Sequence, residues 1–301
     1  MFRVFLVKFI EELWYSPKFY HYFLIILLSP ISLIYMLLMY IRRVVAKREK
    51  FPIPIISIGN LVVGGSGKSP FIIEIASKYD NVAIISRGYG RKSRGTIEVT
   101  DKTAVEISGD EALMMAISLP NALVIVSENR KDGIRKAINL GAKVIFLDDG
   151  FNRVDIEKLE ILLEPKGIKN FFSLPAGAFR EFYKTSCDIK LIEGLDYKRV
   201  VTIDNPTPSM ILITAIANPR RLDEYLPNEV KRRVYFEDHK FFDRDEIVEL
   251  SRGYDSILVT DKDLVKLKDI DINISIMRLK LDIDKKVLNK IDRYITDYKE
   301  Y

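Results

Sequence analysis

Apolar positions fall into two regimes along this chain. From Phe2 to Val45 they dominate almost without a break. Beyond Phe51 they gather into short runs set between polar, helix-patterned stretches. Within the first regime, Phe19–Ile41 carries no charged residue, and as a helix it would measure about 35 Å, enough to cross a bilayer. Ser29-Pro30 falls midway and can kink such a helix, so a re-entrant or interfacial helical pair is an alternative. Upstream, Phe2–Trp14 sets apolar residues around Arg3, Lys8, Glu11 and Glu12, as an interfacial helix does. A buried helix hairpin in a soluble protein is the third reading, and it demands an unusually large apolar partner surface.

The second regime predicts strands at Ile55–Ile58, Val82–Ser86, Ala122–Val126, Val144–Leu147, Leu159–Leu163 and Ile189–Ile192. Helical patterns separate them, which argues an α/β fold with a mostly parallel sheet. Asp204–Ser209, DNPTPS, is a proline-rich polar break and the candidate linker. The alternation then resumes at Met210–Ala215, Val234–Phe236, Ser256–Thr260 and Ile274–Leu281, before a closing helix from Lys285 to about Tyr298. The expected organisation is a membrane-associated helical segment at 1–50, a nucleotide-binding domain at 51–203, and a smaller α/β domain at 204–301.

Composition alters this picture in three places. A length of 301 residues gives room for two cores. The single cysteine, Cys187, excludes an intramolecular disulfide and suits a reducing compartment. The net charge of +5 is modest, and no aromatic-interleaved basic stripe appears, so no nucleic-acid partner is expected and no protein partner is evident. The charge is clustered, however: Arg42, Arg43, Lys47, Arg48 and Lys50 directly follow the apolar segment. By the positive-inside rule this places the following domains in the cytoplasm, with anionic headgroups of the inner membrane as added attraction. Glu11 and Glu12 ahead of the segment, and no small-residue site behind it, argue against a cleaved signal.

The densest chemistry lies in Pro54–Pro70, PIISIGNLVVGGSGKSP. An apolar strand breaks into a turn containing Gly64, Gly65, Ser66 and Gly67, followed by Lys68, Ser69 and a helix. Glycine lets backbone N–H groups converge on an anion, Lys68 adds a point charge, and the Ser69 hydroxyl suits magnesium. Val62 stands where the strict phosphate-loop pattern has glycine, so an ordinary strand-to-helix turn is the alternative. Four more clusters fall at strand ends or strand-to-helix turns, where open α/β sheets bind ligands. Asp148-Asp149-Gly150 can hold a metal or be an acidic turn. Ser86–Arg91 can bind phosphate or a lipid headgroup, or be a solvated basic loop. Gly109-Asp110-Glu111 opens a helix and can serve simply as its cap. Leu174–Glu181 leads into Arg180, which can neutralise a phosphoryl group or pair with a surface carboxylate. Of the two histidines, His21 lies in the apolar segment, so any imidazole needed by the soluble part must be His239.

Together these residues resemble the tetraacyldisaccharide 4'-kinase family, the lipid A 4'-kinases of Gram-negative bacteria. The likeness spans nearly the whole chain in order: the apolar N-terminal segment, Ser57-Ile58-Gly59-Asn60 with Val63–Pro70, Ser86-Arg87-Gly88-Tyr89, Gly109-Asp110-Glu111, Ser127-Glu128-Asn129-Arg130, Asp148-Asp149-Gly150-Phe151, Leu174-Pro175-Ala176-Gly177 with Arg180-Glu181, Asp238-His239, and Thr260-Asp261-Lys262-Asp263. Asn152 stands where the family commonly has glutamine, Arg153 where histidine is usual, and Asp261 where proline is frequent.

The resemblance implies a P-loop kinase with two α/β/α sandwich domains joined by a short strand linker, working on a lipid disaccharide at the cytoplasmic face of the inner membrane. It implies ATP and magnesium (Mg2+) as cofactors, Asp110 as the base and His239 as its partner. Lys68, Ser69, Arg130 and Arg180 would carry phosphoryl charge, and Ser69, Asp148, Asp149 and Glu181 are candidate metal ligands. Two other classes stay open on the residues alone. One is a membrane-anchored P-loop ATPase without a lipid acceptor; the other is a tethered module that binds a nucleotide or headgroup without turnover.

Overall fold

A computed structural model describes residues 2–63, 67–165, 167–267 and 270–298. Two helices lead the chain, α1 (Phe2–Tyr15) and α2 (His21–Val45). Then follow β1 (Ile55–Gly59), α3 (Lys68–Ala76), β2 (Val82–Ser86), β3 (Ile97–Val99), α4 (Val105–Ser108), α5 (Asp110–Ser118) and β4 (Leu123–Val126). This first domain continues through α6 (Arg130–Asn139), β5 (Val144–Asp148), β6 (Leu159–Leu163) and β7 (Ile189–Leu191). The sheet order is β3-β4-β2-β5-β1-β6-β7, parallel except for β3 at its edge.

The continuous apolar runs of the sequence are explained by burial on both faces. Ile56, Ile58 and Ile84 pack with Phe71 and Ile72 of α3 and Leu113 and Met115 of α5. Ile55, Ala83 and Ile85, the alternate residues, face Ile134 and Ala137 of α6 on the other side. The result is an α/β/α sandwich.

The second sheet comprises β8 (Tyr197–Asp204), β9 (Met210–Thr214), β10 (Val230–Tyr235), β11 (Ser256–Thr260) and β12 (Ile274–Ile283), in the order β10-β9-β11-β12-β8. Met210 and Leu212 face Leu222 of a 3-10 turn, Pro219–Tyr225, while Ile211 and Ile213 face Ile247 of α7 (Arg244–Ser251). A four-residue helix, α8 (Asp261–Leu264), follows β11 directly.

β8 went unread in the sequence because its residues, YKRVVTID, form neither an apolar run nor a polar–apolar alternation; only its burial alternates, with Lys198, Val200, Thr202 and Asp204 exposed, as an edge strand allows. It pairs antiparallel with β12 from Tyr197↔Ile283 to Asp204↔Ile276. This two-stranded ribbon is the linker between domains. Tyr197, Leu281 and Ile283 at one end lie in the first core, and Met277, Val201 and Ile203 at the other end lie in the second. The closing helix α9 (Lys285–Thr296) returns to the first domain, burying Val287 and Ile291 there. The Tyr294 hydroxyl donates to the Ile55 carbonyl at 3.2 Å and that of Tyr298 to Phe51 at 2.7 Å.

Helix α2 runs unbroken through Pro30. The helical pair left open by Ser29-Pro30 is therefore not formed. One side of α2 is fastened to the first domain along its length: Ile25 packs on Leu13 and Ala176. The Ala176 N–H donates to Ser32 Oγ at 3.0 Å, the Tyr35 hydroxyl to the Arg180 carbonyl at 3.0 Å, and Arg42 to the Asn152 carbonyl at 2.9 Å. The other side leaves Phe23, Ile26, Leu27, Ile34, Leu37, Leu38 and Ile41 exposed. An apolar face of that extent marks membrane association.

Candidate active site

The site lies at the C-terminal ends of the first sheet's strands, where the order reverses around β1. Register sets Asp148, the last residue of β5, against Ile58 of β1, so the acidic pair flanks the phosphate loop. Gly64, Gly65 and Ser66 lie outside the described residues. Gly67 follows at φ +80°, a backbone that favours glycine, and Lys68 and Ser69 open α3. The Lys68 ammonium sits 3.4 Å from Asp149 Oδ1 and donates to Asn60 Oδ1 at 3.2 Å. Arg180 donates to Asp149 Oδ2 at 2.9 Å. Its backbone N–H donates to the Leu61 carbonyl at 2.7 Å, which ties the Leu174–Glu181 turn to the base of the loop. Asp149 itself holds φ +50°, a strained conformation of the kind that collects at functional sites. Burial would raise its carboxyl, but Lys68 and Arg180 outweigh that and hold it low.

The acid–base candidates meet across the domain boundary. His239 Nδ1 lies 2.9 and 3.0 Å from the two carboxylate oxygens of Asp110. His239 also adopts φ +61°, and its ring packs on Tyr89 with centroids 4.9 Å apart. Two lysines join them. Lys262 Nζ is 3.7 Å from Asp110 Oδ2 and 3.3 Å from both Glu111 and Asp238. Lys266 Nζ is 3.4 Å from Asp110, with its side chain only 1% exposed. Burial pushes the Asp110 carboxyl up, yet the His239 hydrogen bond and the two ammonium charges prevail and set it at about 2. Burial, and after it the charge of Glu111, raise Asp148 to about 6.

Not every sequence candidate faces the cleft. Arg130 is 3% exposed and lies beneath the site, donating to the carbonyls of Ser127 and Asp148; burial lowers it to about 10. Glu181 is clamped by Arg43, Nε to Oε2 at 2.9 Å and Nη2 to Oε1 at 3.1 Å. The same guanidinium reaches Glu160 at 3.1 Å and covers the Phe151 ring at 4.2 Å. The sequence reading assigned no role to Lys262, Lys266 or Arg199. Lys262 was visible only as part of a motif. Lys266 lies one helical turn beyond it, the only local hint. Arg199 on β8 comes so close to Gly67 that an added Cβ would lie 2.9 Å from its guanidinium, and nothing in its neighbourhood signals that.

The residues present fit magnesium. Asp148 Oδ1 is buried without a partner, while Oδ2 accepts from the Ser86 hydroxyl at 2.9 Å. Ser69 and the Asp148-Asp149 pair offer hard oxygen donors, as that ion requires. No group of three or more His, Cys, Asp or Glu side chains converges as a cage among the described residues. Magnesium needs none, because it keeps waters and takes phosphate oxygens.

Fold and site together define a two-domain P-loop phosphotransferase with a membrane-associated helical segment. The family model for tetraacyldisaccharide-1-P 4'-kinase, LpxK, matches residues 24–201 and 196–296, and the chain belongs to that family. It is 48% identical over 299 residues to the tetraacyldisaccharide 4'-kinase of Helicobacter pylori strain HPAG1, covering 96% of each chain. Identity to the Aliarcobacter butzleri enzyme of the same name is 46% over 308 residues, covering 96% of this chain and 98% of that one. The crystal structure of LpxK from Aquifex aeolicus in complex with ATP superposes with a TM-score of 0.72 at 27% identity, covering 90% of this chain and 99% of that one.

Proposed function

We propose that this protein transfers the γ-phosphoryl group of ATP to the 4'-hydroxyl of tetraacyldisaccharide 1-phosphate, a step of lipid A biosynthesis, with its catalytic domains on the cytoplasmic side of the inner membrane. The observation that carries the reading is the Asp110–His239 contact at 2.9 Å, made between two domains beside the Lys68 cluster in a chain of this family. The 4'-oxygen attacks the γ-phosphorus, the bond to the β–γ bridging oxygen breaks, and ADP leaves. The hydroxyl proton passes to Asp110. A carboxylate held near 2 is too weak to form an alkoxide in advance. It suits a loose transition state, in which the nucleophile gives up its proton late and mostly needs orienting.

His239 holds both Asp110 oxygens and fixes that orientation. Lys68, released from Asn60 and Asp149 by the nucleotide, follows the phosphates, and Arg180 meets charge on the transferring group. Ser69, Asp148 and Asp149 would hold magnesium, which supplies positive charge to the phosphates. Arg130 keeps the ends of β4 and β5 in place, and Glu181 anchors α2 through Arg43. The length of α2 fastened to the first domain favours a helix lying in the membrane plane, with the exposed face in the acyl region, over one that crosses it. A four-chain lipid then stays in the bilayer while its sugar enters the cleft.

Transfer of labelled γ-phosphate to the lipid in detergent micelles tests this reading. Labelled lipid from wild type, but not from Asp110→Ala or Lys68→Ala, is the expected result. Free phosphate without labelled lipid would instead identify an ATPase.

A further inference from the structure

The second domain holds a buried polar cluster next to the acid–base pair. Its centre is Asp263 on α8, a carboxylate with no exposed surface. Oδ2 of Asp263 accepts from the Thr214 hydroxyl at 2.6 Å and the Thr260 hydroxyl at 2.8 Å. Oδ1 accepts from the Ala215 N–H at 3.1 Å and the Lys266 ammonium at 3.0 Å. Thr214 ends β9 and Thr260 ends β11, so Asp263 is pinned where two neighbouring strands of the second sheet terminate.

Lys266 carries this anchorage to the base. Its Nζ lies 3.4 Å from Asp110 Oδ2, so one buried ammonium bridges a carboxylate from each domain. The Phe242 ring packs near it, with the centroid at 5.3 Å. Lys262 is placed differently: it divides its charge among Asp110, Glu111 and Asp238 and is 15% exposed. A buried ion pair contributes little net stability, because desolvation offsets the attraction. What such a pair does well is hold a functional group in place, once its own members are locked by hydrogen bonds.

His239 belongs to the same frame. Ala215 donates its N–H to Asp263, and its carbonyl accepts the His239 N–H at 3.2 Å. The turn after β9 therefore sets the backbone of His239 and the seat of Lys266 together. Both side chains meet Asp110 Oδ2, at 3.0 and 3.4 Å. From its own domain, Asp110 receives the Glu111 N–H on Oδ1 at 2.9 Å.

We infer that Lys266, seated on Asp263, is a positioning residue for the transfer: it holds Asp110 Oδ2 and so fixes the orientation in which the carboxylate faces the acceptor hydroxyl. It acts through Asp110 and touches neither substrate. The inference rests on the kinase reading above.

Transfer kinetics in detergent micelles test it, with Lys266→Met placed both in wild type and in Asp110→Asn. In wild type, kcat is expected to fall about 10–100-fold with KM for ATP and for the lipid little changed, because a misplaced base costs rate rather than binding. In Asp110→Asn the carboxylate charge is already gone, and the same substitution is expected to change residual transfer by less than about 2-fold. Lys266→Met leaves Asp263 as a buried charge without its cation and can melt the domain. Asp263→Asn combined with Lys266→Met removes both charges and is carried through the same two backgrounds.

An unchanged kcat in the wild-type background overturns the positioning role. So does an equal fall in both backgrounds, the mark of a general structural contribution. A loss confined to KM for the lipid would assign Lys266 to acceptor binding and overturns it as well. In each of these cases labelled lipid from wild type leaves the kinase reading standing, whereas none from wild type overturns both.

Discussion

The Asp110 carboxyl lies buried beside one imidazole and two ammonium groups, which hold it at about 2 against an ordinary 3.8. Because the folded value lies below the unfolded one, the contribution to stability is present above about pH 4 and is lost as the pH falls toward 2. Its size is about 2 kcal/mol. Asp110→Asn is therefore expected to destabilise the protein by about that much at neutral pH and by little at about pH 2, read from urea midpoints across the range. The same variant should lower kcat by about 10²–10⁴-fold. For Lys68→Ala, loss of the charge proposed to follow the phosphates predicts a fall of about 10²–10³-fold in transfer rate, with weaker binding of a fluorescent ATP analogue. Lys68, Asp110 and His239 were legible as candidates because each sits in a short local pattern. Lys266 and Arg199 were not, since each matters through a contact with a residue far along the chain.

Helix α2 shows the same limit at the scale of an element. Its length and apolar character were plain from the sequence, whereas its attachment depends on partners more than a hundred residues away: Arg43 meets Glu181 and Glu160 at separations of 138 and 117 residues. Arg43→Met would leave the nearly buried Glu181 carboxylate unpaired, while Glu160 keeps Lys158 at 2.9 Å, and a loss of about 3–5 kcal/mol follows, measured as a lowered melting temperature in detergent. The closing helix was also readable as a helix, but its destination was not. Ile291 is fully buried in the core of the first domain, so Ile291→Ala is expected to cost about 2–5 kcal/mol. β8 escaped notice because its paired Lys198-Arg199 and Val200-Val201 break any polar–apolar alternation, and it sits next to a more conspicuous break at Asp204–Ser209.

For the whole molecule, the β8–β12 ribbon and the Asp110–His239 contact make one working unit of two domains, and α2 sets that unit against a membrane. Replacing Ile26, Leu27, Ile34 and Leu37 with serine should abolish flotation with anionic vesicles while leaving the melting temperature close to wild type, because these side chains are exposed. A helix that crosses the bilayer would instead place the two ends of α2 on opposite sides, which accessibility of cysteines introduced at Phe19 and Val45 would reveal. The sequence by itself determined the α/β class, the phosphate loop and the helical character of the N-terminal segment, because strand burial, glycine conformation and helix periodicity are local properties. Only the tertiary structure decided that Glu181 belongs to Arg43, that Arg130 lies under the site, that α9 returns to the first sheet and that α2 lies along its domain. Those outcomes depend on which charges and apolar faces meet across long stretches of chain, and burial then makes each pairing too costly to exchange.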